Sequence, residues 1–264
     1  MRGAPPGREE DGAALEPGLS TVHNCTGLLE AWVGGSLLTV RKPSGEFVKH
    51  SKPGRRGKAS FSWASRRRLM RTLAKVRQDA LPVFVTLTYP AVWPSEASEW
   101  KRHLRNFFAR ITRRWPGAAG VWKLEPQKRG APHYHLLVWG VSKSDLLSWV
   151  GKAWYQVVKS GDNRHLLAGT RVEAVRSQRG VMAYASKYLG KTIEAFEGWQ
   201  DVGRFWGVFG RENMPWGVLL SVGFTYRQAV VAMRYMRRFA HLRSRSYQSL
   251  TIYCAAGRWA SLLL

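Results

Sequence analysis

The chain has 264 residues, with 42 Lys+Arg against 17 Asp+Glu, a formal net charge of +25. A hydrophobic content of 45% and 13 Trp exclude a disordered basic tail, and a chain of this length buries roughly 70–75% of its unfolded surface. So strong a positive balance points to a polyanionic partner, of which nucleic acid is the commonest, although an anionic membrane surface or solubility alone would produce the same sign.

Residues 1–20, rich in Pro, Gly and acids, read as a disordered lead with no secretory signal. Short apolar runs within 28–48 suggest a hairpin, and 49–58 (KHSKPGRRGK) a basic loop broken by Gly and Pro. Residues 64–79 predict a basic helix with Leu69, Leu73 and Val76 on one side. VFVTLTYP (83–90) predicts a buried strand. A helix follows, with Trp100, Leu104, Phe107, Phe108, Ile111 and Trp115 inward, Lys101, Arg102, Arg105, Arg113 and Arg114 outward, and Ser95 or Ser98 as N-cap. GVWKLEP (120–126) and HYHLLVWG (133–140), around the turn QKRGAP, predict a hairpin. Ser142 and Asp145 open a helix carrying Leu146, Leu147, Val150, Trp154 and Val157. TRVEAVRS (170–177) predicts a strand and 179–196 a helix. This order predicts a two-layer α/β (α+β) fold with a central, largely antiparallel sheet flanked by helices. Three segments result: 1–60, a disordered lead and basic loop; 61–196, the folded domain; and 197–264, a basic, aromatic C-terminal extension. Two cysteines, Cys25 and Cys254, form no CxxC pair, and no run of 18 uncharged apolar residues offers a membrane span. The expected setting is intracellular.

His133 and His135 are two apart on a strand, so both imidazoles point to one face. With the turn centred near 129–130, Glu125 comes opposite them and Gln127 one pleat nearer the turn. Two imidazoles and a carboxylate suit a catalytic divalent metal, Mg²⁺ or Mn²⁺, with histidine favouring Mn²⁺. Each residue alone also fits an ordinary solvated or hydrogen-bonded role. The stretch Tyr184–Lys191 holds two overlapping Tyr-x-x-Lys units, which on a helix would set Tyr184 and Tyr188 on one face with Lys187 and Lys191 one turn on. Neighbouring cations favour phenolate and can hold a phosphate, but half-buried aromatics with solvated lysines fit the same pattern. Basic patches at 66–68, 101–114, 128–129 and 234–245 complete a cationic envelope.

Three segments, FVTLTYP, GAPHYHLLVWG and YASKYLGK, in that order, resemble the three motifs of HUH-type rolling-circle replication initiators of small phages and plasmids. WKLEPQKRGAPHYH and the later GRFWG are similar to that group too, and the resemblance covers roughly 83–216. It implies a metal-dependent, site-specific single-strand DNA endonuclease and ligase of HUH fold that forms a 5′-phosphotyrosine and a free 3′-OH. His133, His135 and Glu125 would be the metal ligands, Tyr184 and Tyr188 the nucleophiles, and Lys187 and Lys191 would assist at the phosphate. The tyrosines follow the histidine pair, the order of replication initiators and related transposases rather than of conjugative relaxases. The expected partners are single-stranded or extruded origin DNA and host replication proteins, in a bacterial cytoplasm and away from the membrane; oligomeric state stays open. An HUH transposase of similar chemistry and a non-enzymatic basic DNA-binding protein are the alternatives. No GxxxxGK[ST] loop is present to suggest an attached helicase.

Overall fold

The computed structural model describes residues 27–41, 61–176, 199, 202–239 and 249–253. Along them run strands β1 (Gly27–Val33) and β2 (Leu37–Arg41), helix α1 (Trp63–Leu73), β3 (Val83–Thr88), α2 (Ala97–Arg114), β4 (Ala119–Pro126), β5 (Pro132–Trp139), α3 (Lys143–Val158), α4 (Asn163–Ala168), β6 (Thr170–Ala174), β7 (Trp206–Phe209), β8 (Val218–Phe224), α5 (Tyr226–Phe239) and β9 (Ser249–Tyr253). The fold is α+β with two antiparallel sheets, a five-stranded one in the order β6-β3-β5-β4-β7 and a four-stranded one in the order β8-β1-β2-β9. Among the described residues, no helix is long and apolar enough to cross a membrane.

The five-stranded sheet is built by alternation. Tyr134, Leu136 and Val138 of β5 share a face with Val83, Val85 and Leu87 of β3 and with Trp122 and Leu124 of β4. That face packs under α2 and α3. Tyr134, fully buried, donates its hydroxyl to the Trp100 carbonyl of α2 at 3.0 Å, and its ring meets Trp154 of α3 edge-on. Trp100, Phe107, Ile111, Leu146, Val150, Trp154 and Val157 bury at helical spacing, as their periodicity predicts, each large side chain contributing about 1.5–3 kcal/mol. Leu147, expected inward, is 62% exposed, because it lies one residue past the buried stripe. Ser142 caps α3 by accepting from the Asp145 amide at 3.1 Å. The cap of α2 is Glu96, not Ser95 or Ser98, with no side-chain hydrogen bond; Trp100 Nε1–H donates to the Pro94 carbonyl at 2.6 Å and holds the entry instead.

Helix α1 stops at Leu73, short of the predicted 79. Beyond it the backbone is captured by distant segments: Val76 bridges Trp216, Arg77 N–H donates to the Pro215 carbonyl, Gln78 N–H to Gly34, and the Ser36 amide to Ala74. The hairpin expected in 28–48 appears as β1 and β2. Its sheet neighbours, β8 and β9, come from beyond residue 197, so both ends of the chain share one sheet. Leu29 and Ala31, paired with Val40 and Leu38, form its core with Met233 and Met236 of α5. The last strand of the predicted series is present as β6, and β7 extends the central sheet from the segment beyond 197. The helix expected over 179–196 lies outside the described residues.

Candidate active site

Tyr134 points toward the helices, so its neighbours His133 and His135 point the other way. Register places Glu125 directly across from His133, and Lys123 across from His135. From the other side, Thr88 stands opposite His133 and Thr86 opposite His135. Three strands therefore present one polar patch: Thr86 and Thr88, His133 and His135, Lys123 and Glu125. The β4–β5 turn sets the register. Gln127 N–H bonds the Ala131 carbonyl at 2.9 Å, Gly130 N–H bonds Gln127 at 2.8 Å, and Gly130 takes φ 84°, a conformation that glycine adopts without strain.

Arg129 locks this turn to the loop after β3. Its guanidinium donates to the carbonyls of Tyr89 at 2.6 Å and Ala91 at 3.2 Å and to Gln127 Oε1 at 3.1 Å, and stacks over Trp93. The other side is anchored at Thr88. Its carbonyl accepts from Trp154 Nε1–H at 2.7 Å and from His165 Nε2–H at 2.8 Å, which fixes the backbone that carries the Thr88 hydroxyl.

The histidine rings lie 4.5 Å apart, nearly perpendicular. His135 Nδ1 is 3.4 Å from Thr86 Oγ1, and its ring stacks on Phe84. His133 Nδ1 is 3.1 Å from Thr88 Oγ1 and 3.4 Å from Gln127 Nε2. Donation from Nδ1 to Thr88 leaves a lone pair on Nε2; donation from Gln127 selects the opposite tautomer. Coordination through Nε2 requires the first. Glu125 Oε2 is 3.9 Å from His135 Nε2, while its Oε1 accepts from Lys123 Nζ at 3.0 Å. Lys123 has no exposed side-chain surface and lies 4.8 Å over the Phe61 ring. An open cleft of about 500 Å³, lined by Glu125, Gln127, Lys128, Arg129, His133 and His135 among others, faces this patch.

Among the described residues, no three His, Cys, Asp or Glu are drawn together as a ready-made metal cage. The donor set nonetheless fits a divalent cation in kind. Two donors about 2.1 Å from a common ion lie at most about 4.2 Å apart, and His135 and Glu125 meet that limit. Lys123 is the competitor, since its ammonium already holds half of the carboxylate. Sequence reading placed His133, His135, Glu125 and Gln127 on one face, and the structure brings them together. It missed Thr86, Thr88 and Lys123. The alternation in VTLT was the available signal for the threonines, and the two-residue step from Lys123 to Glu125 the signal for the lysine. Tyr184, Lys187, Tyr188 and Lys191 lie outside the described residues.

Burial pushes the His133 imidazolium down to about 4, so the ring is neutral at neutral pH. The unfolded chain takes up this proton near 6.5, the folded one near 4. Between those values the unfolded state binds more protons, so stability falls as pH falls from about 6.5 to about 4, on the order of 2 kcal/mol in all. Thermal melts across that window, in chelator, should show the loss, and His133→Gln should flatten it. An unchanged slope in the variant would assign the acid lability to another group.

Residues 82–193 match the model of the replication-associated protein ORF2 family. The chain is also 32% identical over 185 residues to a protein of Xylella fastidiosa (strain 9a5c) described as "Putative replication protein". That alignment takes in 64% of this chain and 58% of the relative, so the chain spans less than two thirds of that protein's length. Both similarities support a role in replication, and the family match contains β3 to β6, the strands that carry the histidines, Glu125 and the two threonines.

Proposed function

We propose that this protein initiates replication by nicking one DNA strand at an origin and keeping the cut end on a tyrosine. The observation that carries the reading is the convergence of His133, His135 and Glu125 on one sheet face, two of them backed by threonine hydroxyls, above an open cleft. The likeness to replication proteins favours an initiator over a transposase. A divalent cation, Mg²⁺ or Mn²⁺, held by these three residues would draw charge from a non-bridging oxygen of the scissile phosphate.

The chain's own groups do the rest. Thr86 and Thr88 hold the two rings in orientation. Lys123 keeps Glu125 ionised and aimed. Tyr184 or Tyr188 attacks phosphorus in line: a phenolic O–P bond forms, the P–O3′ bond breaks, and the 3′ oxygen leaves and takes up a proton. The bond energy is conserved in the 5′-phosphotyrosine, so a returning 3′-OH reseals the strand without a nucleotide cofactor. Lys187 and Lys191 steady the phosphate or the phenolate. The substrate is single-stranded or extruded origin DNA, because the phosphate must reach the sheet face unpaired, and the reaction belongs in a bacterial cytoplasm alongside host replication proteins.

The test is incubation of the full chain with single-stranded origin DNA and Mn²⁺, followed by denaturing electrophoresis and mapping of both DNA ends. A covalent protein adduct at the 5′ end with a free 3′-OH is expected. A second reading, a non-enzymatic DNA-binding protein, is favoured by the Lys123–Glu125 pair, which already neutralises the carboxylate. Binding without any cut strand, at every metal tried, would select it.

A further inference from the structure

A second basic site lies on the opposite layer from the histidines. Helices α2 and α3 leave between them a groove of about 410 Å³ whose lining includes Arg110, Arg113, Arg114, Trp149, Lys152 and Gln156. Both helices cover the sheet face to which Tyr134 points, so the groove and the histidine cleft are separated by the sheet itself. Among the described residues, none of its four cations is in an ion pair. Arg110 is oriented by a 2.7 Å hydrogen bond to Gln156 Oε1, and Arg114 lies 5.0 Å over the Trp115 ring. Four cations converging on one groove repel each other, an arrangement that an anionic ligand relieves.

The aromatic content narrows the ligand. Sequence-independent binding of single strands uses exposed aromatic platforms on which bases stack. Trp149 is half-buried and already held, edge-on to Trp115 at 5.1 Å and tilted against Phe107 at 5.6 Å. It has no free face to offer a base. Forked guanidinium donors with no stacking platform suit phosphates alone.

We propose that the α2–α3 groove binds the sugar–phosphate backbone of duplex DNA without reading its sequence. That the held duplex flanks the strand cut on the other face rests on the nicking activity proposed above; the binding itself does not.

The probe is a fluorescein-labelled 20-base-pair duplex lacking any origin sequence, titrated with the full chain by anisotropy between 50 and 200 mM salt. Arg110→Gln/Arg113→Gln/Lys152→Gln should weaken duplex binding about tenfold or more and make the log–log salt dependence shallower by about 3. A variant with the same charge change elsewhere, Arg164→Gln/Arg234→Gln/Arg238→Gln on α4 and α5, should lose clearly less. Single-strand adduct formation and melting temperature should match wild type in the groove variant. Equal loss in both triple variants would show that net charge, not the groove, binds duplex, and would overturn the proposal. So would unchanged duplex affinity, equal weakening toward a single-stranded 20-mer, or equal weakening toward anionic phospholipid vesicles. Should the triple variant melt lower, the exposed single change Arg113→Glu provides the same comparison. If no adduct ever forms yet the groove variant alone loses duplex, the nicking reading fails and the groove stands.

Discussion

Tyr184→Phe/Tyr188→Phe is expected to form no covalent adduct with origin DNA under conditions where the wild type does. Phenylalanine keeps the ring and removes the one atom that can bond phosphorus, so the loss should be complete rather than partial. Single substitutions separate two mechanisms. If one phenol performs every transfer, one single variant is inactive and the other normal. If the phenols alternate, each single variant still forms an adduct but fails to complete strand exchange on a second substrate. Binding of uncut DNA should change less than about threefold, since it rests on charge distributed over the surface. An adduct of wild-type yield in the double variant would remove both tyrosines from the chemistry and leave the histidine face without its proposed nucleophile.

Glu125→Ala is expected to act twice. Cleavage should fall about 10³-fold, the size of effect seen when a group stabilising transition-state charge is removed, and His135→Ala should fall as far. Stability should fall as well, because Lys123 has no solvent-exposed side-chain surface and loses the carboxylate 3.0 Å from its ammonium. Removing one partner of a buried pair costs about 3 kcal/mol, which for a chain of this size lowers the melting temperature by about 6–12 °C. Adding Lys123→Met to Glu125→Ala should recover most of the melting temperature and none of the cleavage. Lys123→Met alone should tighten Mn²⁺ binding, since it removes the cation that competes for Glu125. If the double variant stays as unstable as Glu125→Ala, the buried charge is not the cause. If Glu125→Ala cleaves normally, the carboxylate serves only to neutralise the lysine, and the DNA-binding reading gains.

This coupling explains why Glu125 looks ordinary in sequence but not in structure. From the chain alone it is one acid on a half-exposed strand. In the fold it lies between a buried ammonium and an imidazole, at 3.0 and 3.9 Å. The threonines tell the same story: Thr86 and Thr88 read as β-branched strand formers, and only the pairing of β3 with β5 makes them partners of the two imidazoles.

The features legible in the residues alone are local ones. The β4–β5 hairpin follows from a Gly-containing turn between two alternating runs, and a two-stranded register is settled by that turn, so the meeting of Glu125 with His133 could be read in advance. The buried stripes of α2 and α3 follow from helical period in the same way. Folding in three dimensions was needed for whatever depends on segments far apart: β3 as the neighbour of β5, the early end of α1 where residues 75–78 pair with 34 and 215–217, and the sheet joining β1 and β2 to β8 and β9. Strand order and long-range backbone pairing are chosen by global burial and by closing distant hydrogen bonds. No local pattern of residues records which distant strand will supply them.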